Sequence, residues 1–463
     1  MPSHERKHDR TRREPRDAQP PQVAGIARAR KIGVAAAGAT LALGAVVGLL
    51  MFARPQTSEV ERRTLTAFPA LTWGGFWDGS FFSDLSLWYS DTYPAREQLV
   101  AANKAIDALH GVHVGTQMVG TAKQADELPP ADQPGDQDNA AASVPSHSIL
   151  DDGPVEFPTQ EEMAAAVQDQ ITDGLYVKGD AAYNIYYFSQ EATQEYADMV
   201  NTLSQRFAGQ AEVYSIIVPN ASGIQLSDQE VKDLGGTNQI DAIRYFYSLY
   251  DDDVHAVDVV TPLKEHADEY IYYRTDHHWT ALGSYYGYLG FCKEKDIEPQ
   301  SLDDMEYLNV GSFLGSFAST LNSDEMAANP DYMEAWIPSS TNRLTLIDTD
   351  GSQGEYPIVA DTSSEGVYGK SLTFIMGDQP LEKIKNPLRS DGSSCLVIKD
   401  SFADSFVPFL VDRYDTVWVA DFRYFEGSYE ELVEDEDIQD VIVLNNISLA
   451  GGGAVARAIL GRL

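Results

Sequence analysis

The hydrophobic pattern begins with an uncharged run, Ile32 to Ala53, bracketed by Lys31 and Arg54. At 1.5 Å per residue this run makes a helix of about 33 Å, long enough to cross the hydrocarbon core of a bilayer. A cleaved signal peptide carries a shorter apolar region, and Met51-Phe52-Ala53 is a poor cleavage site, so the pattern predicts an uncleaved signal-anchor. Beyond it, residues 54–122 read as a short tether and then an ordered segment rich in aromatics (Trp73, Phe76, Trp77, Phe81, Phe82), with a helical pattern over Glu97 to Leu109. Residues 121–160 differ in kind: six prolines, eight Asp/Glu and one aromatic, Phe157. Such a stretch buries too little surface to order itself, so 123–156 is expected to be an acidic, Pro-rich flexible linker or loop.

From about residue 160 the periodicity becomes α/β. A helical stretch, about Glu191 to Phe207, precedes the apolar run Tyr214–Val218, which Pro219 closes. Further strands are expected at His255–Val260, Cys395–Ile398, Thr416–Ala420 and Val441–Leu444, and further helices at about Thr280–Glu294, Phe402–Tyr414 and Tyr429–Val433. Continuous β-branched runs alternating with helices predict a buried parallel sheet with right-handed crossovers, helices covering both faces. Residues 300–390 are less regular and read as an insertion into a domain spanning 157–463.

Charge orients this arrangement. Residues 1–31 carry nine Lys/Arg against four Asp/Glu, whereas the whole chain of 463 residues has 33 against 71 and a net charge of −38. The basic segment 1–31 should therefore stay in the cytoplasm, with the helix 32–53 in the lipid bilayer and everything after Arg54 extracytoplasmic. A body this acidic repels phosphate backbones, which excludes general nucleic-acid binding. With 43% hydrophobic residues the body still has the material for a large core. The only two cysteines, Cys292 and Cys395, each sit in an apolar stretch and are expected as separate buried thiols; they make neither a disulfide scaffold nor a four-ligand zinc site.

Two clusters could carry chemistry. The first is Arg274-Thr275-Asp276-His277-His278-Trp279-Thr280, just before a helix. If the segment is extended, Asp276 and His278 point the same way, and the carboxylate can orient the imidazole as a general base requires. Capping is the plainer role for Asp276 or Thr280. The second is Lys399-Asp400-Ser401-Phe402-Ala403-Asp404-Ser405, where an apolar strand runs into a helix. Ser401 would then stand at the carboxyl end of a sheet strand, where open α/β folds place their sites, and at a helix N-terminus able to stabilise an oxyanion. Ser405, a turn further on, is the poorer nucleophile because it lies away from the free N–H groups. An acid, a histidine and a strand-end serine together supply a nucleophilic triad, in the chain order Asp, His, Ser. A metal site from Asp276, His277, His278 and a distant acid such as Asp400 is disfavoured, because adjacent histidines splay apart in regular structure.

These clusters resemble those of bacterial DHHW family proteins, named for the four residues found here as Asp276-His277-His278-Trp279. The likeness extends over Glu61–Pro69, Asp91–Arg96, Arg274–Tyr286, Phe313–Ser316, Phe374–Asp378, Val397–Leu410 and Ala420–Phe425. That family is similar to the alginate O-acetylation proteins with an SGNH hydrolase-like domain. The resemblance implies an SGNH/flavodoxin-like three-layer parallel sheet with insertions. It also implies a triad in which Ser401 carries the acyl group, His278 deprotonates it and Asp276 fixes the imidazole. The implied activity is O-acetyltransferase or acetylesterase on a cell-surface polysaccharide, without cofactor or metal, with a membrane-bound acyltransferase as acetyl donor. A non-catalytic glycan-binding or assembly protein that retains the fold is the alternative. The chain departs from ordinary SGNH hydrolases in placing the Asp/His block before the Ser block and in spacing Asp and His by two. The second motif position is His277, which leaves open which histidine is the base. Gly377, Asp378 and Asn446 are candidates for the oxyanion donors.

Overall fold

A computed structural model describes residues 174–463 continuously, preceded by residues 57–58, 63–64, 68, 81, 85, 88, 92–93, 116–120, 123–129, 157–159, 162–166 and 168. The chain divides into two compact units, Met1–His113 and Val114–Leu463. In the first, Thr57–Ser58 pairs antiparallel with Arg63–Thr64, and the Phe68 ring meets Trp88 edge-on at 4.8 Å. The expected anchor 32–53 and the helix 97–109 lie outside the described residues. Among those described, no helix is long and apolar enough to cross a membrane.

The second unit begins with a small antiparallel sheet, β1 (Thr116–Val119), β2 (Leu175–Lys178) and β3 (Ala181–Asn184). At the start of the acidic stretch, the Asp126 N–H donates to Phe188 O (2.8 Å) and its carboxylate accepts from Gln190 N–H (2.9 Å). The main sheet is built from β4 (Glu212–Val218), β5 (Val254–Ala256), β8 (Leu344–Ile347), β9 (Gln353–Tyr356), β10 (Leu381–Lys385), β11 (Ser394–Lys399), β12 (Thr416–Asp421) and β13 (Asp440–Asn446). Between β5 and β8 stands a separate ribbon of β6 (Glu306–Phe313) and β7 (Asp331–Ile337).

The sheet order is β9-β8-β10-β12-β11-β13-β4-β5. The five strands from β12 to β5 run parallel, as the apolar runs predict, while β10, β8 and β9 add on antiparallel. The expectation of a purely parallel sheet is thus corrected to a mixed one, and much of the irregular 300–390 stretch turns out to be sheet and ribbon. The reason is local. An antiparallel strand needs only a tight turn, as at Asp348–Ser352, and no helical crossover to announce it. Its inward and outward residues alternate, as in Leu381–Lys385, so the run is never continuously apolar.

The order of the parallel strands is informative. Counted from β11 and wrapping through the N-terminal end of the domain, it reads 2-1-3-4-5, one of the two common doubly wound orders. The chain therefore enters this topology at its fourth strand. That is why the strand ending at Ser401, first in the topological count, comes late in the sequence. Its neighbours β12 and β13 leave on opposite sides, so Ser401 stands at the switch point where such sheets open a crevice.

Alternate residues of each central strand feed two cores. Tyr214, Ile216, Val397, Val419 and Leu444 face a layer containing α3 (Ala281–Glu294) and the one-turn helix Val407–Leu410. Val213, Ile217, Leu396, Ile398 and Val443 face α1 (Gln190–Arg206), α2 (Gln239–Ser248), α4 (Tyr429–Asp435) and α5 (Ala454–Leu460). Cys292 and Cys395 are both buried and free. Two local expectations shift. The strand at 255 ends at Ala256, and a helix opens at Val260 with the Asp258 carboxylate accepting from Thr261 N–H. The helix expected over 402–414 breaks into a 3-10 turn, Ser401–Ala403, and the turn at Val407, because Pro408 has no N–H and is tolerated only in a first turn.

Candidate active site

The Asp-His-His-Trp segment is a tight loop rather than an extended strand. Tyr272 and Trp279 close it as an antiparallel bridge, with Thr280 N–H donating to Ile271 O at 2.9 Å. Thr280 then caps α3 by accepting from Gly283 N–H. Within the loop, Asp276 Oδ1 accepts from the backbone N–H of His278 (3.0 Å) and from its Nδ1 (2.5 Å). The pairing of Asp276 with His278 thus comes from an Asx turn, which Asp forms readily, and not from strand alternation.

His278 Nε2 lies 2.8 Å from Ser401 Oγ, across 123 residues of sequence. Ser401 is held by the turn that follows β11. Asp400, fully buried, accepts from Phe402 N–H through Oδ1 and from Asn446 N–H through Oδ2, strapping the ends of β11 and β13 together. Trp279 Nε1 donates to Phe402 O at 2.8 Å and fastens the two loops to each other. Ser405 lines the same cavity, but the imidazole reaches Ser401.

His277 turns elsewhere: its Nδ1 meets Ser316 Oγ at 2.7 Å. Its ring lies 3.8 Å from that of His278, so the irregular loop brings adjacent histidines together, where regular structure would splay them. Burial and the neighbouring His278 push His277 down to about 3, leaving it neutral. Burial alone would also lower His278. The charge and hydrogen bond of Asp276, with Asp404 and Asp378 behind it, outweigh burial and raise it above its ordinary value. Asp276 is buried, which opposes its ionisation, yet the two histidines and the hydrogen bonds from His278 and Ser316 N–H hold it well below the usual carboxylate range.

Donor atoms of Asp276, His277 and His278 all lie within 4.8 Å of one another. They are already spent on each other, on Ser401 and on Ser316, and Asp400 is bonded to backbone N–H groups; a cation would have to displace these bonds. Two oxyanion candidates are committed: Asn446 Nδ2 donates to Val218 O and Asn220 Oδ1, and Gly377 N–H donates to Phe374 O. The Asp378 carboxylate accepts from Lys399 and Arg423 and is an acceptor, not a donor. The expected helix N-terminus is only a short turn, with Phe402 N–H and Ala403 N–H both bonded to Asp400.

The supporting shell has parts with no signal in local periodicity. Asp331, at the start of β7, accepts from Thr275 N–H and Oγ1 (2.7 and 2.6 Å), Arg274 Nε (3.1 Å) and Tyr270 OH, fixing the loop from behind. Lys399, the last residue of β11, is 0% exposed and contacts Asp378 (2.9 Å), Asp404 (2.6 Å) and Asp421 (3.1 Å). Arg423 bonds Asp421 and Asp378 in the same network. Burial raises Asp404 to about 7 against the pull of Lys399. Glu382, fully buried nearby, is pushed by burial well above the usual carboxylate range. Ser401, His278, Asp378, Asp404 and Arg423 share a cavity of about 380 Å³ with Phe313, Met333 and Phe374.

Fold and site together define an α/β protein with a Ser–His–Asp constellation at the switch point of a doubly wound sheet. The family model described as DHHW protein matches residues 61–144 and 136–420, and the chain belongs to the DHHW family. The crystal structure of a DHHW family protein from Eubacterium siraeum is similar at 26% identity and a TM-score of 0.56, covering 62% of this chain and 95% of that one. Bacillus cereus PatB1 shares the fold at 18% identity and a TM-score of 0.50, covering 59% and 95%. The O-acetyltransferase domain of Pseudomonas putida AlgJ is more remote, at 15% identity and a TM-score of 0.32 over 64% and 87%, too low to carry weight. A comparison with curated proteins gives no match.

Proposed function

We propose that this chain is a membrane-anchored, extracytoplasmic acyl-transfer enzyme with an SGNH-like domain, an O-acetyltransferase or acetylesterase acting on cell-surface polysaccharide. The observation that carries the reading is the 2.8 Å contact between Ser401 Oγ and His278 Nε2, with Asp276 on the opposite ring nitrogen. His278 Nε2 accepts the Ser401 proton as Oγ attacks the acyl carbonyl, while Asp276 holds the Nδ1 proton and stabilises the imidazolium. The proton then passes to the leaving group. In the second half, His278 deprotonates the incoming sugar hydroxyl or water, which attacks the acyl-serine and frees Ser401. The acetyl cargo, the polysaccharide acceptor, the membrane-bound donor and the anchor at 32–53 follow from the sequence pattern and the resemblance.

The test is acyl-enzyme formation. The purified full chain, incubated with p-nitrophenyl acetate, should release nitrophenolate in a burst and carry an acetyl group on the peptide containing Ser401. No burst and no adduct would overturn the reading.

The pH profile follows from the site's charges. Only neutral His278 accepts the serine proton, so acylation should rise with pH, with its midpoint above the ordinary imidazole value of about 6.5. Asp276→Asn removes the largest raising influence, so it should move the midpoint down as well as cut the rate, by about 10⁴-fold where the wrong tautomer results. A midpoint that does not move would show that Asp276 does not act through His278.

Gly315 gives a steric prediction. A Cβ there would lie 2.2 Å from Asp276 Oδ2, and no flexible neighbour gives way. Gly315→Ala should displace the carboxylate and slow acylation by about 10²-fold, the scale of a misplaced catalytic group. Rates measured beside a thermal melt separate this from unfolding.

A further inference from the structure

The β6–β7 ribbon has two unlike faces. Inward, Val310, Phe313, Met333 and Ala335 join the core, and Phe313 and Met333 line the cavity that holds Ser401. Outward stand Tyr307, Asn309, Tyr332 and Glu334, and Trp336 joins them by strand alternation while part of its ring packs against the core. Tyr307 is 50% exposed and Tyr332 38%, among the most exposed large side chains described. A register shift between Asn309 and Gly311 lets Val310 and Phe313, three residues apart, both join the core. Tyr307 sits opposite Trp336, with ring centroids 5.7 Å apart, and its hydroxyl contacts Tyr332 OH and Glu334 Oε2. From Tyr332 to Trp336 the strip runs about 13 Å at strand spacing.

We infer that this outward strip, Tyr307, Tyr332 and Trp336 with Glu334 and Asn309 between them, binds a neutral saccharide chain on the outer face of the ribbon that walls the Ser401 cavity. The inference rests on the polysaccharide reading above and names the charge class of that polymer. Three observations select this occupant. Rigid aromatic faces interleaved with a carboxylate and an amide match a sugar ring, which is apolar on its C–H faces and hydroxylated at its rim; a lipid or protein core contact favours continuous apolar surface. The carboxylate within the strip, on a chain of net charge −38, opposes an anionic polymer or headgroup. Finally, the strip shares its ribbon with the site: Phe313 and Met333, on the ribbon's other face, line the Ser401 cavity.

The test is binding, which needs no turnover. The full chain carrying Ser401→Ala is titrated in detergent with cellohexaose, chitohexaose and, as the anionic counterpart, hexagalacturonate, by calorimetry and tryptophan fluorescence. At least one neutral hexamer should bind saturably, and hexagalacturonate should bind more weakly. Tyr307→Ala with Tyr332→Ala, both exposed positions, should weaken binding by about tenfold or more with an unchanged melting temperature; Trp336→Phe should weaken it less. Failure of both neutral hexamers to bind, preference for hexagalacturonate, or indifference to the tyrosine pair would each overturn the inference. So would a change of oligomeric mass in the tyrosine variants without sugar binding, which would make the face a self-interface. Loss of sugar binding with acyl release by wild type intact condemns the strip alone. Binding without any acyl-enzyme condemns the enzymatic reading alone.

Discussion

Ser401→Ala should abolish the acetyl adduct and lower nitrophenolate release by about 10³-fold or more, the scale on which nucleophilic constellations fail when one member is removed. The expectation is sharp because the neighbourhood holds a second serine. Ser405 lines the cavity too, so a merely reactive pocket would retain activity in Ser401→Ala and lose it in Ser405→Ala. The hydrogen bond from Ser401 to His278 predicts the opposite. His278→Ala should match Ser401→Ala, and the double variant should be little worse than either, since residues that act as a unit are strongly non-additive. His277→Ala should do less: its ring packs on His278 and bonds Ser316, so it positions rather than transfers protons. Equal rates in all these proteins would show that release occurs elsewhere.

Lys399→Met should destabilise the fold by about 3–5 kcal/mol, the usual result of removing one partner from a buried ionic network. Lys399 is buried completely, and three carboxylates converge on its ammonium. Without it, Arg423 remains bonded to Asp378 and Asp421, and Asp404 loses the ammonium. The pH dependence gives a second, independent check. Lys399 lowers the proton affinity of Asp404 and Asp378, so in its absence both carboxyls bind protons at higher pH in the folded state. A folded state with raised carboxyl affinities gains relative stability as pH falls. The deficit of the variant should therefore be larger at pH 8 than at pH 5 in chemical denaturation. A deficit independent of pH would mean that packing, and not charge, is what Lys399 supplies.

Much of this molecule was legible in its order of residues. Cys395–Ile398 and Val441–Leu444 are apolar at every position because both faces of a central parallel strand are buried. Thr280 announces its helix because a short polar side chain there satisfies N–H groups left bare by the helix start. The Asp-His-His-Trp and Asp-Ser-Phe segments named the reactive residue types through local chemistry. The strands that add on antiparallel, Leu344–Ile347, Gln353–Tyr356 and Leu381–Lys385, were not legible. They are short, mix polar and apolar residues and lie at one end of the sheet, where pairing with a neighbour and not the strand's own periodicity decides the structure.

By itself, then, the sequence determined the parallel strands, the helices α1, α3 and α4 (but not α2 or α5), and which side chains have acid, base or nucleophilic character. Those properties depend on neighbours a few residues away. The tertiary structure alone decided that the sheet starts at its fourth topological strand and that Asp276 meets His278 through a turn. It also decided that Ser401 lies under His278 and not His277, and that Lys399 gathers Asp378, Asp404 and Asp421 from three separate segments. The strand order, the Ser401–His278 contact and the Lys399 contacts to Asp378 and Asp421 join residues far apart in the chain, selected by the joint burial of two cores on one sheet, and no local pattern of polarity encodes that choice.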